Sequence, residues 1–274
     1  MLTRLIPSTG EALPVVGLGT WQSFDIGDDA QERAQRRAVL DLLLHAGGRV
    51  VDSSPMYGRA EAVVGDLLAA MGMSHQAFLA TKVWTTGEAA GIAQMEASLR
   101  HLRAPRIDLM QVHNLVDWRT HIKTLRRWKD EGLVRYIGIT HYTVRGLDDL
   151  ADALKAEPVD FVQCAFSTGV PEAEKRLLPL AAERGVAVIV NRPFEGGDTF
   201  RRLRGTLVPA WAYERGVDSW ARFLLKWVLG HHAVTCVIPG TGNPRHAEDN
   251  VGAGFGWLPD AAERRQMSEI WQAL

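Results

Sequence analysis

Short apolar runs alternate with amphipathic stretches along almost the whole chain. The runs hold four to eight residues and end in polar or turn-forming residues, which is typical of buried strands. Strands are therefore predicted at Val15–Trp21, in the Val50 run that ends at Asp52, and at Phe78–Trp84, Ile107–His113, Arg135–Thr140, Asp160–Ser167, Val186–Val190 and Thr235–Ile238.

Apolar residues at helical spacing fill the segments between these strands. Helices are predicted at Ala30–Ala46, Glu61–Met71, Glu88–Leu102, Trp118–Glu131, Val144–Leu154, Ala173–Arg184, from a cap at Asp218 to Gly230, from a cap at Asn243 with Pro244 in first position, and at Asp260–Gln272. A β-hairpin is predicted at Arg4–Leu13, and the arginine-rich segment from Glu195 to Pro209 is predicted to be a long loop.

Eight strands, each followed by a helical segment, predict one fold class. Continuous apolar strands in strict alternation with helices indicate a parallel sheet covered by helices. Eight units favour a single α/β domain over residues 1–274, a closed (β/α)8 barrel with an N-terminal hairpin and a C-terminal extra helix. An open doubly wound sheet is the alternative, but no G-x-G-x-x-G follows the first strand.

Composition narrows the function classes. Of the 274 residues, 46% are hydrophobic and 23% charged, with a formal net charge of -1. This balance argues against nucleic acid or an anionic membrane as the main partner. Cys164 and Cys236 lie far apart inside apolar runs and indicate buried thiols, with no metal site. We expect a cytoplasmic protein, monomeric or weakly oligomeric, and a leader upstream of this chain stays open.

Polar residues with complementary chemistry end three consecutive predicted strands. Asp52, Lys82 and His113 close the second, third and fourth strands, and Tyr57 follows on the loop after the second. All strand ends of a barrel converge on one face, so the four side chains are expected to share one volume. A nearby ammonium lowers the pKa of a phenol, a buried lysine requires a carboxylate, and a histidine can orient a carbonyl oxygen. A single lysine at a strand end is usually a solvated charge, and a single histidine is more often structural. The four residues in register on consecutive units together predict proton donation.

Several motifs make the chain resemble the aldo-keto reductases over nearly its whole length. They are GLGTW at 17–21, VVDSSPMYG at 50–58, TKVW at 81–84, QVHN at 111–114, GIT at 138–140, VQ at 162–163 and VIPGT at 237–241, with Asn250 beyond. The resemblance implies reduction of a small aldehyde or ketone by a nicotinamide cofactor, usually NADPH. By position, Tyr57 would be the proton donor, Lys82 would lower its pKa, Asp52 would hold Lys82, and His113 would orient the carbonyl.

The same resemblance implies a cofactor site and a substrate wall. The cofactor site would comprise Gly19, Thr20, Trp21, Asp52, Thr140, His141, Gln163, Asn191, Arg192, Pro193, Phe194, Gly240, Thr241, Arg245, His246, Asp249 and Asn250. The substrate would be lined by Trp21, Met56, Trp84 and Asn114. Arg201, Arg202 and Arg204 are expected either to reach the pyrophosphate with Arg192 or to be solvated.

Three positions depart from the family pattern. Thr140-His141 stands where members usually have Ser-Asn, Asn191 where many have a tyrosine that stacks on the nicotinamide, and Gly240-Thr241 where many have Lys-Ser. The missing lysine would hold the 2′-phosphate, so NADPH is favoured and NADH stays open. Two other functions also stay open: a lyase that uses Lys82 as a Schiff-base nucleophile, and a non-catalytic cofactor-binding subunit.

Overall fold

The computed structural model describes residues Met1–Leu274, and its centre is a parallel eight-stranded sheet. A separate antiparallel hairpin precedes it, formed by β1 (Thr3–Leu5) and β2 (Ala12–Pro14). The sheet strands are β3 (Leu18–Gly19), β4 (Val50–Asp52), β5 (Phe78–Val83), β6 (Ile107–His113), β7 (Val134–His141), β8 (Phe161–Ala165), β9 (Ala187–Asn191) and β10 (Val234–Val237). They pair in chain order, and parallel bridges Val16–Val237 and Gly19–Gly240 join the first strand to the last. The sheet is thus a closed (β/α)8 barrel, as predicted.

Helices follow the strands and form the outer layer. They are α1 (Ala30–His45), α2 (Ala60–Met71), α3 (Glu88–His101), α4 (Trp118–Asp130), α5 (Leu147–Ala156), α6 (Leu177–Glu183), α7 (Asp198–Arg202), α8 (Ala210–Tyr213), α9 (Trp220–Leu229), α10 (Pro244–Gly252) and α11 (Ala261–Ala273). The cap of α10 follows the predicted chemistry. The Asn243 side chain accepts from Arg245 N ahead of Pro244, and Asp260 forms a capping box with Glu263.

The apolar core has two parts because side chains of a strand point alternately to its two faces. A cluster of 62 buried residues lies between the sheet and the helices. A second cluster of 12 fills the barrel interior, where Phe78, Tyr136 and Phe161 pack with ring centroids 5.5 to 6.1 Å apart. Ile6 and Leu13 of the hairpin belong to this inner cluster, so the hairpin closes one end of the barrel.

Alternation along the strands also decides which polar side chains face the interior. Counting in twos from the inner-cluster residues Val50, Phe78, Leu109, Tyr136, Phe161 and Ala187 reaches Asp52, Lys82, Gln111, His113, Thr140, Gln163 and Asn191. These seven residues lie at or near the carboxyl ends of β4 to β9. The barrel interior is thus apolar at the hairpin end and polar at the opposite end.

Several predicted boundaries differ from the structure. The first strand shrinks to Leu18–Gly19, where Gly17 lies against Val50: a Cβ at 17 would lie 2.7 Å from the Val50 carbonyl oxygen. The predicted loop 195–209 contains a 3-10 turn, Glu195–Gly197, followed by α7, because Phe200 packs back on Phe194 at 4.9 Å between ring centroids.

Other differences concern helix starts. The predicted helices at 144–154 and 173–184 each begin as 3-10 turns, Val144–Gly146 and Glu172–Lys175. Ser219, not Asp218, caps α9, since its side chain accepts from Arg222 N. Cys164 and Cys236 are buried free thiols, as predicted. None of the helices combines the length and the hydrophobicity that a membrane span requires.

Candidate active site

A cavity of about 1060 Å³ lies where the polar ends of the strands meet. It is lined by most of the residues that sequence reasoning selected. These are Gly19, Thr20, Trp21, Asp52, Met56, Tyr57, Trp84, His113, Asn114, Thr140, Gln163, Asn191, Arg192, Pro193, Phe194, Gly240, Thr241, His246, Asp249 and Asn250. Its volume lies slightly above the range for pockets that hold drug-sized ligands, about 300–1,000 Å³.

Lys82 lies just behind the cavity wall, with only 1% of its surface exposed. Its Nζ donates to Oδ2 of Asp52 and to the carbonyl oxygen of Ser53, each at 2.6 Å. Burial lowers the pKa of Lys82, but Asp52 and Tyr57 together raise it by more, so the pKa lies above its ordinary value. The side chain is therefore an ammonium at neutral pH, which β5 and β4 hold in place.

Tyr57 lies over this ammonium, with its ring centroid 5.1 Å from Lys82 Nζ. Burial raises the pKa of Tyr57 above the ordinary phenol value, Lys82 lowers it, and Asp52 raises it. The influence of Lys82 has the sign expected from the sequence, but burial outweighs it in the structure. The turn that carries Tyr57 is fixed from behind, because Asp25 accepts from Arg59 N at 2.9 Å and Gly58 adopts φ +59 beneath that carboxylate.

His113 completes the group, with its ring edge-on to Tyr57 at 6.0 Å between centroids. Its Nδ1 lies 3.2 Å from Oγ of Ser54, which also accepts from Met56 N at 3.4 Å. Burial, Lys82 and His141 lower the pKa of His113 to about 3, so the ring is neutral. Sequence reasoning missed Ser54, although it lies in the same motif as Asp52.

Asp52 is the centre of a buried hydrogen-bond network. Its Oδ1 accepts from Gln163 Nε2 at 2.9 Å and from Gln111 Nε2 at 3.2 Å, while Oδ2 faces Lys82. Gln163 Nε2 also lies 3.2 Å from Gln111 Oε1. Gln111 was not selected from the sequence; its position two residues before His113 on β6, hence on the same face, is the signal that could have found it.

The network continues from Gln163 to Thr140 and to Asn191, the residue that stands where many family members have a tyrosine. Gln163 Oε1 accepts from Thr140 Oγ1 at 3.2 Å and from Asn191 Nδ2 at 3.1 Å. Asn191 Oδ1 is buried and has no hydrogen-bond partner in the protein. Lys82, Asp52, Gln163 and Asn191 therefore form one chain of contacts from β5 to β9.

The far end of the cavity is formed by glycines and by α10. Gly19 and Gly240 face each other across the β3–β10 seam, and a Cβ at 240 would lie 3.1 Å from the Gly19 carbonyl oxygen. Asp249 Oδ1 accepts from Ser219 Oγ at 2.8 Å and pairs with Arg222 Nε at 3.0 Å. This end of the cavity wall thus consists of backbone, hydroxyl and carboxylate groups, and the side chains of Ser219 and Asp249 are held by hydrogen bonds.

Arg192 is the cationic side chain in the cavity wall. It adopts φ +50, and its backbone carbonyl accepts from Glu195 N at 3.0 Å. Its guanidinium lies 5.8 Å from the ring centroid of Tyr142 and makes no hydrogen bond or ion pair within the protein. Two predicted cofactor residues do not line the cavity. His141 follows inward-facing Thr140 and points outward against Gly146, and Arg245 is exposed on α10.

The other arginines of the loop also lie off the cavity. Arg201 pairs with Asp198 in solvent, Arg202 packs on the Trp271 ring at 4.4 Å, and Arg204 is exposed. The residues of the wall that sequence reasoning did not select are Gln22, Tyr142, Gly196, Gly197, Phe200, Ser219, Trp220, Ala221 and Ile238. Most come from the loop after β9 and the start of α9, whose approach to the barrel no local pattern specifies.

The fold and the site define a (β/α)8 barrel with a cavity at the carboxyl ends of its strands and a buried lysine–carboxylate pair beside a tyrosine. A profile of the Aldo/keto reductase family matches residues 15–264. The chain therefore belongs to the aldo/keto reductase family of oxidoreductases, as the sequence motifs indicated.

Individual relatives agree with this assignment. The chain is 27% identical to methylglyoxal reductase YeaE of Escherichia coli over 92% of this chain and 89% of the relative. It is 30% identical to an aldo-keto reductase of Mycobacterium sp. strain KMS, over 88% and 83% of the two chains. The crystal structure of an aldo-keto reductase from Klebsiella pneumoniae in complex with NADPH superposes with a TM-score of 0.81 at 25% identity, covering 99% of this chain and 96% of that one.

Proposed function

We propose that the protein reduces aldehydes or ketones with NADPH and that Tyr57 donates the proton. The observation that carries this is the Lys82 ammonium, clamped at 2.6 Å to Asp52 and facing the Tyr57 ring from behind the cavity wall. A phenol beside a fixed ammonium can release a proton to an oxygen that becomes negative, because the ammonium stabilises the phenolate. The relative named methylglyoxal reductase supports a small carbonyl compound as the substrate.

His113 orients the substrate in this proposal. In this proposal the Ser54 hydroxyl, 3.2 Å from Nδ1, donates to that nitrogen, so the imidazole proton is on Nε2. A neutral ring with an Nε2–H donates a hydrogen bond to the carbonyl oxygen without competing as an acid. Ser54 thus selects the tautomer, and Met56 N, which donates to the same oxygen at 3.4 Å, leaves the hydroxyl hydrogen free to point at His113.

The cavity fits a dinucleotide. It exceeds the volume of most small-molecule pockets, Gly19 and Gly240 line it without side chains, and Asn191 Oδ1 is an acceptor that has no partner within the protein. When bound, the reduced nicotinamide supplies a hydride to the carbonyl carbon. Gln163, Thr140 and Asn191 would hold its carboxamide end, and Arg192 would face the pyrophosphate.

The end near α10 would hold the adenosine phosphate without the usual lysine. Thr241 and His246 lie along this wall at the start of α10, and a helix N-terminus favours an anion. We favour NADPH on this basis, and the neighbours crystallised with NADP and NADPH support it.

A Schiff-base function for Lys82 has no support in the geometry. Its amine does not line the cavity, and Asp52 raises its pKa, which keeps the lone pair protonated. The two free thiols and the absence of a disulfide suit the cytoplasm, where we propose that the protein acts as a monomer or weak oligomer.

Replacement of Tyr57 by phenylalanine tests the proposal. Tyr57→Phe removes the proton donor and keeps the ring, so kcat for methylglyoxal should fall about 100-fold or more. NADPH binding, followed by quenching of the fluorescence of Trp21, Trp84 and Trp220 in the cavity wall, should change little. Tyr213→Phe, on an exposed tyrosine away from the cavity, is the matched control and should behave as wild type. Turnover that survives Tyr57→Phe would refute the role of the phenol.

A further inference from the structure

One buried lysine of the outer layer has no carboxylate partner. Lys226 lies in the middle of α9, and only 2% of its surface is exposed. Its Nζ donates to the carbonyl oxygens of Ala253, Phe255 and Trp257 at 3.3, 2.7 and 2.6 Å. No other group in the protein donates to these three oxygens. The ammonium thus uses all three of its N–H donors on the segment that follows α10.

Lys226 joins two helices that both line the cavity. The start of α9 and the middle of α10 contribute to the wall with Ser219, Trp220, Ala221, His246, Asp249 and Asn250. Near the cavity, Asp249 is held by Ser219 Oγ at 2.8 Å and by Arg222 Nε at 3.0 Å. Lys226 follows Arg222 by one turn on the same face of α9. It therefore fixes the carboxyl end of α10 to the helix that already holds Asp249.

The charge of Lys226 is stabilised by carbonyl dipoles alone. The charged groups on the elements packed around it are Arg222 with its partners Asp218 and Asp249, then Arg215, Glu263 and Arg264 beside Trp227 and Trp257, and the amino terminus of Met1 near Gly254. None of them forms an ion pair with Lys226. Burial, and after it the charge of Arg222, lower the pKa of Lys226 to about 8. The ammonium is thus the main form at neutral pH, and the proton is lost in mildly alkaline solution.

Loss of this proton changes the contacts that hold α10. An ammonium has three N–H donors, whereas a neutral amine has two and a lone pair that is repelled by a carbonyl oxygen. One of the three carbonyls then loses its donor, and a buried acceptor without a donor is unfavourable. The neutral amine therefore holds the segment after α10 less firmly than the ammonium does.

We propose that Lys226 is a positioning residue for the adenosine end of the cofactor, and that protonation of Lys226 and binding of NADPH favour each other. This inference rests on the proposed binding of NADPH. Coupling between two binding events is reciprocal, so a cofactor that prefers the protonated protein tenfold raises the pKa of Lys226 by about one unit. NADPH should then take up a proton from solution when it binds between about pH 8 and pH 9.

The first test measures the Kd for NADPH by quenching of tryptophan fluorescence between about pH 7 and pH 9.5. The wild-type Kd should rise about tenfold over this range. Lys226→Met carries no charge at any pH, so its Kd should be raised already at pH 7 and rise no further. Lys226→Arg stays charged throughout, so its Kd should stay level. Lys155→Met, on an exposed lysine of α5 away from the cavity, is the matched control and should keep the wild-type pH dependence.

The second test needs only the wild type and therefore does not depend on how the variants fold. Calorimetric titration with NADPH at about pH 8.5, in buffers of different ionisation enthalpy, gives the number of protons taken up on binding, and uptake is expected. If the wild type does not bind NADPH at pH 7, the proposed function fails. If it binds NADPH but takes up no proton, or if Kd rises equally with pH in wild type, Lys226→Met and Lys226→Arg, cofactor binding stands and the role of Lys226 is overturned.

Discussion

Removal of the Asp52 charge should destabilise the protein in a pH-dependent way. In Asp52→Asn the Lys82 ammonium keeps its burial and the Ser53 carbonyl at 2.6 Å, but loses the carboxylate that faces it at the same distance. An uncompensated buried charge costs about 3–5 kcal/mol. For a chain of this size each kcal/mol shifts Tm by about 2–4 °C, so we expect a decrease of about 6–20 °C at pH 7.

The pH dependence follows from the direction in which the pKa of Lys82 moves. In the wild type Asp52 and Tyr57 outweigh burial and raise the pKa of Lys82 above 10.5, so its charged form stabilises the fold below pH 10.5 and this contribution is lost at still higher pH. Without Asp52, burial dominates and the pKa of Lys82 falls below 10.5. The unfolded variant then binds more protons than the folded one, so its stability rises with pH up to about 10.5.

Thermal unfolding of both proteins between about pH 7 and pH 10 measures this directly. The difference in Tm between wild type and Asp52→Asn should be largest at neutral pH and shrink as the pH rises. The double variant Asp52→Asn/Lys82→Met removes both charges and should recover much of the lost stability at pH 7, since a buried pair replaced by neutral groups is often near neutral in energy. A difference that does not depend on pH, or a double variant no more stable than Asp52→Asn, would refute the reasoning.

Two further predictions concern the proton donor. The pKa of His113 is lowered to about 3 and that of Tyr57 is raised above 10, so neither group titrates near neutral pH. The kcat/KM for reduction should therefore be constant across neutral pH and fall only above about pH 10, where the phenol ionises. An inflection near neutrality in the measured pH profile would contradict this prediction. Gly58→Ala places a methyl group against the Asp25 carboxylate at a residue with φ +59, and it should lower kcat severalfold by moving the turn that carries Tyr57. The control Gly72→Ala, at φ +69 with open space around it, should lower stability by only about 1–2 kcal/mol and leave kcat unchanged. Equal losses of kcat in the two variants would show that the position of the turn is not critical.

The class of fold and the reacting groups were accessible from the sequence because both depend on local patterns. Strand alternation has a period of two, so the polar residue at the end of each apolar run has a definite face, and Asp52, Lys82 and His113 share the inward one. Closure of the barrel then brings neighbouring strand ends together, independently of the conformation of the loops. The resemblance to the family selected Gln163 and Thr140, and strand alternation puts both in the cavity wall. Applied to β6 and β7, the same alternation would also have found Gln111 and excluded His141.

Other features depend on contacts between segments distant in the chain, and only the tertiary structure decided them. The wall formed by Phe200, Ser219 and Trp220 depends on how the segment after β9 packs, which is a sum of long-range contacts with no periodic signature. The net pKa of Tyr57 is a balance between burial and the Lys82 charge, and the degree of burial is known only once the barrel is assembled. Asn114 faces the cavity because a left-handed backbone interrupts the alternation at that residue, and the strand pattern alone predicts the opposite face.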